Sequence, residues 1–170
     1  MTDYTIQLEE TFLDYPDPEA NAIIVYFTGC NHHCPGCHSQ LLQQVRRYTE
    51  TNEQICQKIQ DFAKRANTNK LVFLGGDPLH PSNQALNWYL CTKLGKEYDI
   101  CIFTGYDIDY VKQLNLTGVK YYKCGTYDEK QAQKSEKTDE MYVLASRNQN
   151  FYDSNYQQLS KDGVLLFNNN

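Results

Sequence analysis

The stretch AIIVYFTGCNHHCPGC (residues 22–37) joins an apolar run directly to a group of cysteines. The run is continuously apolar rather than alternating, which is typical of a strand that is covered on both faces of a mostly parallel sheet. Three cysteines follow at positions 30, 34 and 37, in the spacing C-x3-C-x2-C. The stretch therefore predicts a buried strand whose carboxyl end leads into a thiol-rich loop.

Five further short apolar runs predict strands along the chain. They are LVFL at 71–74, ICIF at 100–103, VKYY at 119–122, MYVL at 141–144 and VLLF at 164–167. A capping box at residues 51–54 (TNEQ) begins one predicted helix, and Ser82 begins a second, which Gly95 ends. A third helix is predicted over residues 107–114. Strands that alternate with helices form the βαβ pattern, so we predict an α/β fold.

Length and composition indicate one soluble globular domain. At 170 residues the chain is long enough for one hydrophobic core and short for two, so we predict a single domain over residues 1–170. The net charge of −5 argues against a nucleic-acid partner. No apolar run approaches the roughly 20 residues that a membrane span needs, so no membrane partner is expected.

The cysteine usage predicts a cytoplasmic location. The N-terminal sequence MTDYTIQLEE has neither a basic leader nor an apolar signal region, so we expect no export. Seven cysteines, an odd number, are then expected to stay reduced rather than to form disulfides. Thiols that cluster in a reducing compartment suggest a metal or redox centre.

Glycine-rich turns follow two of the other predicted strands. GGDP at 75–78 comes directly after LVFL, and TGY at 104–106 comes directly after ICIF. If these strands and the first one are parallel, right-handed crossovers place all three loops at one carboxyl edge of the sheet, where α/β proteins bind ligands. The sequence therefore predicts a small-molecule site built from the cysteine loop and the two turns.

Cysteine thiolates at short spacing bind zinc or iron–sulfur clusters. One alternative is a Cys3His zinc site completed by His32, His33 or His38, in a non-catalytic zinc- or cluster-binding module that docks onto a larger protein. The other is a four-iron cluster, in which three thiolates hold three irons and leave the fourth with an open position. A cluster that only transfers electrons ordinarily uses four cysteines, so the triplet favours a cluster that binds a further ligand.

Five motifs, in this order, resemble those of the radical S-adenosylmethionine superfamily, and most closely the small activating enzymes of anaerobic ribonucleotide reductase. The motifs are TGC at 28–30, CPGCHS at 34–39, GGDPL at 75–79, FTGY at 103–106 and SRNQ at 146–149. The resemblance implies a single radical S-adenosylmethionine domain, an α/β fold whose mostly parallel sheet forms a partial (β/α) barrel.

The resemblance also implies an enzymatic function. It implies an oxidoreductase that cleaves S-adenosylmethionine reductively to methionine and a 5′-deoxyadenosyl radical, which makes a glycyl radical on anaerobic ribonucleotide reductase. The implied partners are that reductase and a low-potential electron donor such as flavodoxin or ferredoxin. Alternatives within the superfamily are an activase of another glycyl-radical enzyme and a peptide- or nucleoside-modifying enzyme.

The resemblance assigns roles to residues of this chain. The ligands of a [4Fe-4S] cluster, whose open iron would chelate S-adenosylmethionine, would be Cys30, Cys34 and Cys37. The turn that receives the amino group of the methionine moiety would be Gly75, Gly76 and Asp77. Further residues expected at the cofactor are Gly36, Cys37, His38, Thr104, Ser146 and Asn148.

The chain departs from the family pattern before its first strand, where FLDYPDPEAN at 12–21 stands in place of a glycine-rich segment, and at two single positions. Asp77 stands where the family usually has Glu, and Cys124 stands where it usually has Asp. Arg147 has two open interpretations, a contact with the cofactor's carboxylate or ribose and an ordinary surface role. Core packing is expected for the remaining thiols, Cys56, Cys91 and Cys101.

Overall fold

The computed structural model describes residues 1–167, so the last three residues of the predicted domain lie outside the described part. The strands are β1 (Asp3–Tyr4), β2 (Gln7–Thr11), β3 (Ala22–Phe27), β4 (Arg47–Tyr48), β5 (Lys70–Gly75), β6 (Asp99–Thr104), β7 (Val119–Cys124), β8 (Glu136–Lys137), β9 (Met141–Val143), β10 (Asn150–Asp153) and β11 (Val164–Leu166). The α-helices are α1 (Asn52–Arg65), α2 (Gln84–Leu94) and α3 (Ile108–Leu114). Short 3-10 turns occupy Gln40–Leu42, Pro81–Asn83 and Glu129–Gln131.

A six-stranded sheet in the order β10-β7-β6-β5-β3-β2 forms the centre of the fold. The four inner strands, β3, β5, β6 and β7, pair in parallel, whereas β2 and β10 pair antiparallel at the two edges. The predicted α/β fold with a mostly parallel sheet is thus present, and three βαβ units build it. The partial barrel that the resemblance implies stays a prediction, because the strand pairing does not test it.

Both faces of the sheet are covered, which explains the continuous apolar runs. On one face, Ile23, Val25 and Phe27 of β3 pack with side chains of all three helices. On the other face, Ile24 of β3 packs against Tyr142 and further residues of the small three-stranded sheet β11-β9-β8. The predicted strands at 141–144 and 164–167 therefore exist, but they lie in this second sheet because they pair antiparallel with each other.

The predicted helices form, with one change at the second. At α1, Thr51 Oγ1 accepts from the Gln54 N–H (3.1 Å) and Gln54 Oε1 accepts from the Thr51 N–H (2.9 Å), which confirms the capping box. The second helix was predicted to begin at Ser82, but a 3-10 turn starting with Pro81 comes first and α2 begins at Gln84. Within residues 1–167, no helix is both long and apolar enough to cross a bilayer.

Gly95 ends α2 as predicted, for a packing reason. Its φ of −65° is an ordinary helical value. A Cβ at this position would lie 2.6 Å from the Cys91 carbonyl oxygen and 2.7 Å from the Gly118 carbonyl oxygen. The glycine is therefore required by the close approach of two backbones rather than by a left-handed conformation.

Candidate cofactor site

The cysteine loop and the GGDP turn are joined by backbone hydrogen bonds at the carboxyl edge of the sheet. The Gly76 N–H donates to the Phe27 carbonyl (2.8 Å), and the Asp77 N–H donates to the Gly29 carbonyl (2.7 Å). The Gly29 N–H in turn donates to the Leu42 carbonyl (2.8 Å), which ties the far end of the cysteine loop to its beginning. The predicted meeting of the loops at one edge is confirmed.

The double glycine at 75 and 76 is required by this close approach. Gly75 has a φ of +126°, and a Cβ there would lie 2.5 Å from the Phe27 nitrogen. A Cβ on Gly76 would lie 2.6 Å from the Gly29 carbonyl oxygen and would also meet the Leu42 carbonyl. Side chains at these positions would therefore separate the two loops. The role of the turn toward the methionine amino group stays a prediction.

The three cysteines of the loop line one cavity of about 330 Å³. Their thiols are free and partly exposed. The backbone N–H of His32 donates to Cys30 Sγ (3.5 Å), and the backbone N–H of Ser39 donates to Cys37 Sγ (3.4 Å). Burial raises the pKa of the Cys30 thiol, the His32 N–H opposes that rise, and the charges of Asp77 and Cys34 add to it. Backbone donors aimed at sulfur favour the thiolate form, which is the form that binds metal.

The donor set of this cavity is chemically suited to metal, because cysteine thiolates bind both zinc ions and iron–sulfur clusters. A zinc ion needs its ligands about 2.3 Å from one atom, whereas a four-iron cluster takes one thiolate on each ligated iron, so its thiols stand further apart. Within residues 1–167, no group of three or more His, Cys, Asp or Glu side chains is arranged to hold one metal ion. Three thiols nevertheless face the same cavity. This donor set matches the needs of an iron–sulfur cluster.

Asp77 is the buried centre of the contacts between the loops, with 1% of its surface exposed. Its carboxylate accepts from Thr104 Oγ1 (2.9 Å to each oxygen), from the Gly105 N–H (2.9 Å) and from the Leu79 N–H (2.9 Å). His32 Nε2 lies 2.7 Å from Asp77 Oδ2. The carboxylate therefore links the cysteine loop, the GGDP turn and the TGY turn.

His32 lies across the TGY turn. Its ring packs edge-on against Tyr106, with ring centroids 4.5 Å apart. A Cβ on Gly105 would lie 2.7 Å from His32 Nε2, so the glycine makes room for the imidazole. The contact between His32 and Asp77 is missed by sequence reasoning, because the two residues are 45 positions apart and no local pattern connects them.

The predicted site residues divide into two groups. Those that line the cavity are Cys30, Cys34, Cys37, His38, Gly75, Gly76 and Thr104. Those that do not line it are Gly36, Asp77, Ser146 and Asn148. Gly36 adopts a φ of +78° beside the Tyr127 ring, and this conformation lets the chain turn between the last two cysteines.

The SRNQ turn reaches the cavity through a different residue from those predicted. Ser146 is fully buried, and its hydroxyl accepts from the Asp128 N–H (3.2 Å). The Asn148 amide donates to the Thr126 carbonyl (2.8 Å), and Arg147 is exposed. Gln149 is the residue of this turn that lines the cavity. A cofactor contact of Ser146 or Asn148 stays a prediction.

The cavity is also lined by charged residues that the sequence analysis did not predict. Lys123 of β7 and Asp14 both line it, together with Tyr127. Lys123 Nζ lies 4.3 Å from the centroid of the Phe103 ring. Burial lowers the pKa of Lys123, and the charge of Asp14 opposes this shift. The sequence feature that could have indicated Lys123 is its position as a lysine at the end of a buried strand.

Cys124, which replaces the family's acidic residue, belongs to the core. It is 3% exposed and packs in the cluster beneath the helices. Burial raises its pKa to about 12. A neutral buried thiol serves as a small apolar side chain. Core packing is likewise confirmed for the three other thiols, which are the buried residues Cys56, Cys91 and Cys101.

The chain matches one protein family and is similar in sequence to several known proteins. The chain matches the family described as "4Fe-4S single cluster domain" over residues 20–152. It is similar to the anaerobic ribonucleoside-triphosphate reductase-activating protein of Enterobacteria phage T4, with 25% identity over 108 residues, covering 61% of this chain and 68% of the relative. A protein of the same name from Vibrio cholerae is 30% identical over 118 residues, covering 64% of this chain and 75% of the relative. The corresponding Escherichia coli protein is 33% identical over 92 residues, covering 50% and 58%. No solved structure matches the chain.

Proposed function

Because the chain belongs to the 4Fe-4S single cluster domain family, we propose that it is a radical S-adenosylmethionine activating enzyme. In this proposal a [4Fe-4S] cluster is held by Cys30, Cys34 and Cys37, and S-adenosylmethionine occupies the adjoining cavity. The enzyme's target is an anaerobic ribonucleotide reductase, on which it generates a glycyl radical. The names of the similar proteins from phage T4, Vibrio cholerae and Escherichia coli support this choice of target.

One observation carries the proposal: three thiols and two glycine turns line a single cavity at the carboxyl edge of a parallel sheet. Ligands of open α/β sheets bind at this edge. The cavity of about 330 Å³ lies within the range of small-molecule sites, which is about 300–1,000 Å³. Three thiolates would hold three irons of a four-iron cluster and would leave the fourth iron open.

When bound and reduced, the cluster would supply the electron that splits the sulfonium of S-adenosylmethionine. The chain's own residues would orient and shield the reactants. Backbone N–H groups of His32 and Ser39 would stabilise the negative charge on the cluster thiolates. Leu74 and Phe103 line the cavity with apolar surface and would exclude water. Lys123 lines the same cavity and would place a cation beside a polar ligand.

Iron content and product analysis test the proposal. After anaerobic reconstitution the chain should hold about four irons and four sulfides, and reduction in the presence of S-adenosylmethionine should release 5′-deoxyadenosine. Cys34→Ala should abolish both results. Cys56→Ala, a matched control in the core, should leave both nearly unchanged. Loss of iron in Cys56→Ala but not in Cys34→Ala would show that the ligands are assigned wrongly.

The choice of target and the zinc alternative are tested by two further measurements. Incubation of the reduced protein with an anaerobic ribonucleotide reductase should produce the electron paramagnetic resonance signal of a glycyl radical. A signal with a different glycyl-radical enzyme and none with the reductase would transfer the proposal to that enzyme. If the chain instead binds zinc stoichiometrically and releases no 5′-deoxyadenosine, the proposed enzyme is wrong and the chain is a zinc-binding docking module.

A further inference from the structure

The middle of the cysteine loop has little regular structure of its own. Its ends are anchored by backbone bonds, from the Cys30 N–H to the Gln43 carbonyl (2.8 Å) and from the Leu42 N–H to the Ser39 carbonyl (3.0 Å). Between these ends, His32 makes the shortest side-chain contact to the rest of the fold, 2.7 Å from Nε2 to Asp77 Oδ2.

His32 lies between two of the three cysteines of the loop. It lies two residues from Cys30 and two residues from Cys34. Its side chain is 13% exposed, although the loop around it is largely at the surface. The contact of this ring with Asp77 therefore lies close in sequence to two of the three cysteines.

Asp77 is a rigid anchor for this ring. A carboxylate is an acceptor of hydrogen bonds, and three groups other than the histidine already donate to it, namely the Thr104 hydroxyl and the N–H groups of Leu79 and Gly105. The Nε2 atom of His32 must therefore carry the proton that points at Asp77 Oδ2. These donors come from the TGY turn and from Leu79, which follows the GGDP turn, and Asp77 itself does not line the cavity.

We propose that Asp77 and His32 form a positioning pair, in which the buried carboxylate holds the imidazole and thereby fixes the cysteine thiols relative to the two glycine turns. In this pair Asp77 acts on the cysteine loop through His32. The identity of the loop's ligand rests on the proposed function, whereas the holding of the loop does not.

The first test measures the loop itself. Amide hydrogen exchange is followed by mass spectrometry in the full-length chain, purified anaerobically with reduced thiols and without a cluster. His32→Phe keeps a ring against Tyr106 but removes the donor to Asp77, so exchange over residues 30–39 should accelerate on the order of tenfold. His33→Phe is the matched control, because His33 is an exposed neighbour in the same loop, and it should leave exchange unchanged. Unchanged exchange in His32→Phe, or equal acceleration in both variants, would overturn the proposal.

The second test asks whether Asp77 acts through His32. The dissociation constant for S-adenosylmethionine is measured on the reconstituted protein for His32→Phe, for Asp77→Asn and for the double variant. Each single change should raise the dissociation constant on the order of tenfold. The dissociation constant of the double variant should not exceed the larger of the two single-variant values. Additive losses would show that Asp77 affects cofactor binding independently of His32 and would overturn the proposal. If Asp77→Asn fails to fold, the comparison of hydrogen exchange in His32→Phe and His33→Phe still tests the positioning pair.

The proposed function and the positioning pair can be contradicted independently of each other. If the protein never cleaves S-adenosylmethionine but loop exchange responds to His32→Phe, the proposed function is wrong and the positioning pair stands. If the protein cleaves S-adenosylmethionine but amide hydrogen exchange over residues 30–39 is unchanged in His32→Phe, the proposed function stands and the positioning pair is wrong.

Discussion

Replacing Thr104 by valine is expected to lower the free energy of unfolding by about 3 kcal/mol. The Thr104 hydroxyl is buried and donates to both oxygens of Asp77, each at 2.9 Å, and it accepts from the Tyr106 N–H at 3.1 Å. Loss of a donor to a buried carboxylate costs about 1.5–3 kcal/mol, and loss of the acceptor for the Tyr106 N–H adds about 1 kcal/mol. Valine has nearly the same shape as threonine, so no cavity contributes to the change.

Thr104→Ser provides the matched control for this prediction. Serine keeps the hydroxyl and loses one methyl group, so the cost should be about 1 kcal/mol. Urea unfolding of the reduced chain, followed by circular dichroism, measures both variants against the parent protein. A valine variant within about 1 kcal/mol of the parent, or one as stable as the serine variant, would show that the hydroxyl bonds do not hold these loops together.

Two further changes test the same region. Gly76→Ala should lower the melting temperature through an overpacking cost of about 1–3 kcal/mol, because its Cβ would lie 2.6 Å from the Gly29 carbonyl oxygen; an unchanged melting temperature would contradict the close approach of the two loops. Burial lowers the pKa of His80 from its ordinary value of 6.5, with the Asp77 charge opposing the shift. The folded state therefore binds fewer protons than the unfolded state, so the stability from neutral His80 is complete above pH 6.5 and is lost as the pH falls through the lowered pKa. His80→Asn, which retains an acceptor for the Ser82 N–H, should remove this part of the pH dependence, and equal slopes of unfolding free energy against pH in both proteins would contradict it.

The parallel centre of the fold was predictable because its strands are buried on both faces. A run such as residues 22–27 needs no partner information to be recognised. The edge strands β2 and β10 were not predicted, because β2 is largely exposed and polar and β10 has only four residues. The strands at 141–143 and 164–166 were recognised, but their apolar character does not reveal which strand they pair with.

The candidate site was predictable where its residues are contiguous in sequence. The cysteine spacing and the two glycine turns each form a local pattern, and parallel pairing alone brings them to one edge. The contact between His32 and Asp77 depends on how two loops fold against each other, and no sequence period encodes it. Lys123 was missed for a similar reason, because a lysine in a strand usually faces solvent, whereas here it faces a cavity beside Phe103.

The proposed function requires the cluster on Cys30, Cys34 and Cys37 to keep one iron open for S-adenosylmethionine. Electron–nuclear double resonance on the reduced, reconstituted protein, with isotopically labelled S-adenosylmethionine, tests this requirement. We expect hyperfine coupling between the cluster and the labelled amino nitrogen and carboxylate of the methionine moiety. A cluster spectrum that shows no coupling and does not change when S-adenosylmethionine is added would contradict it.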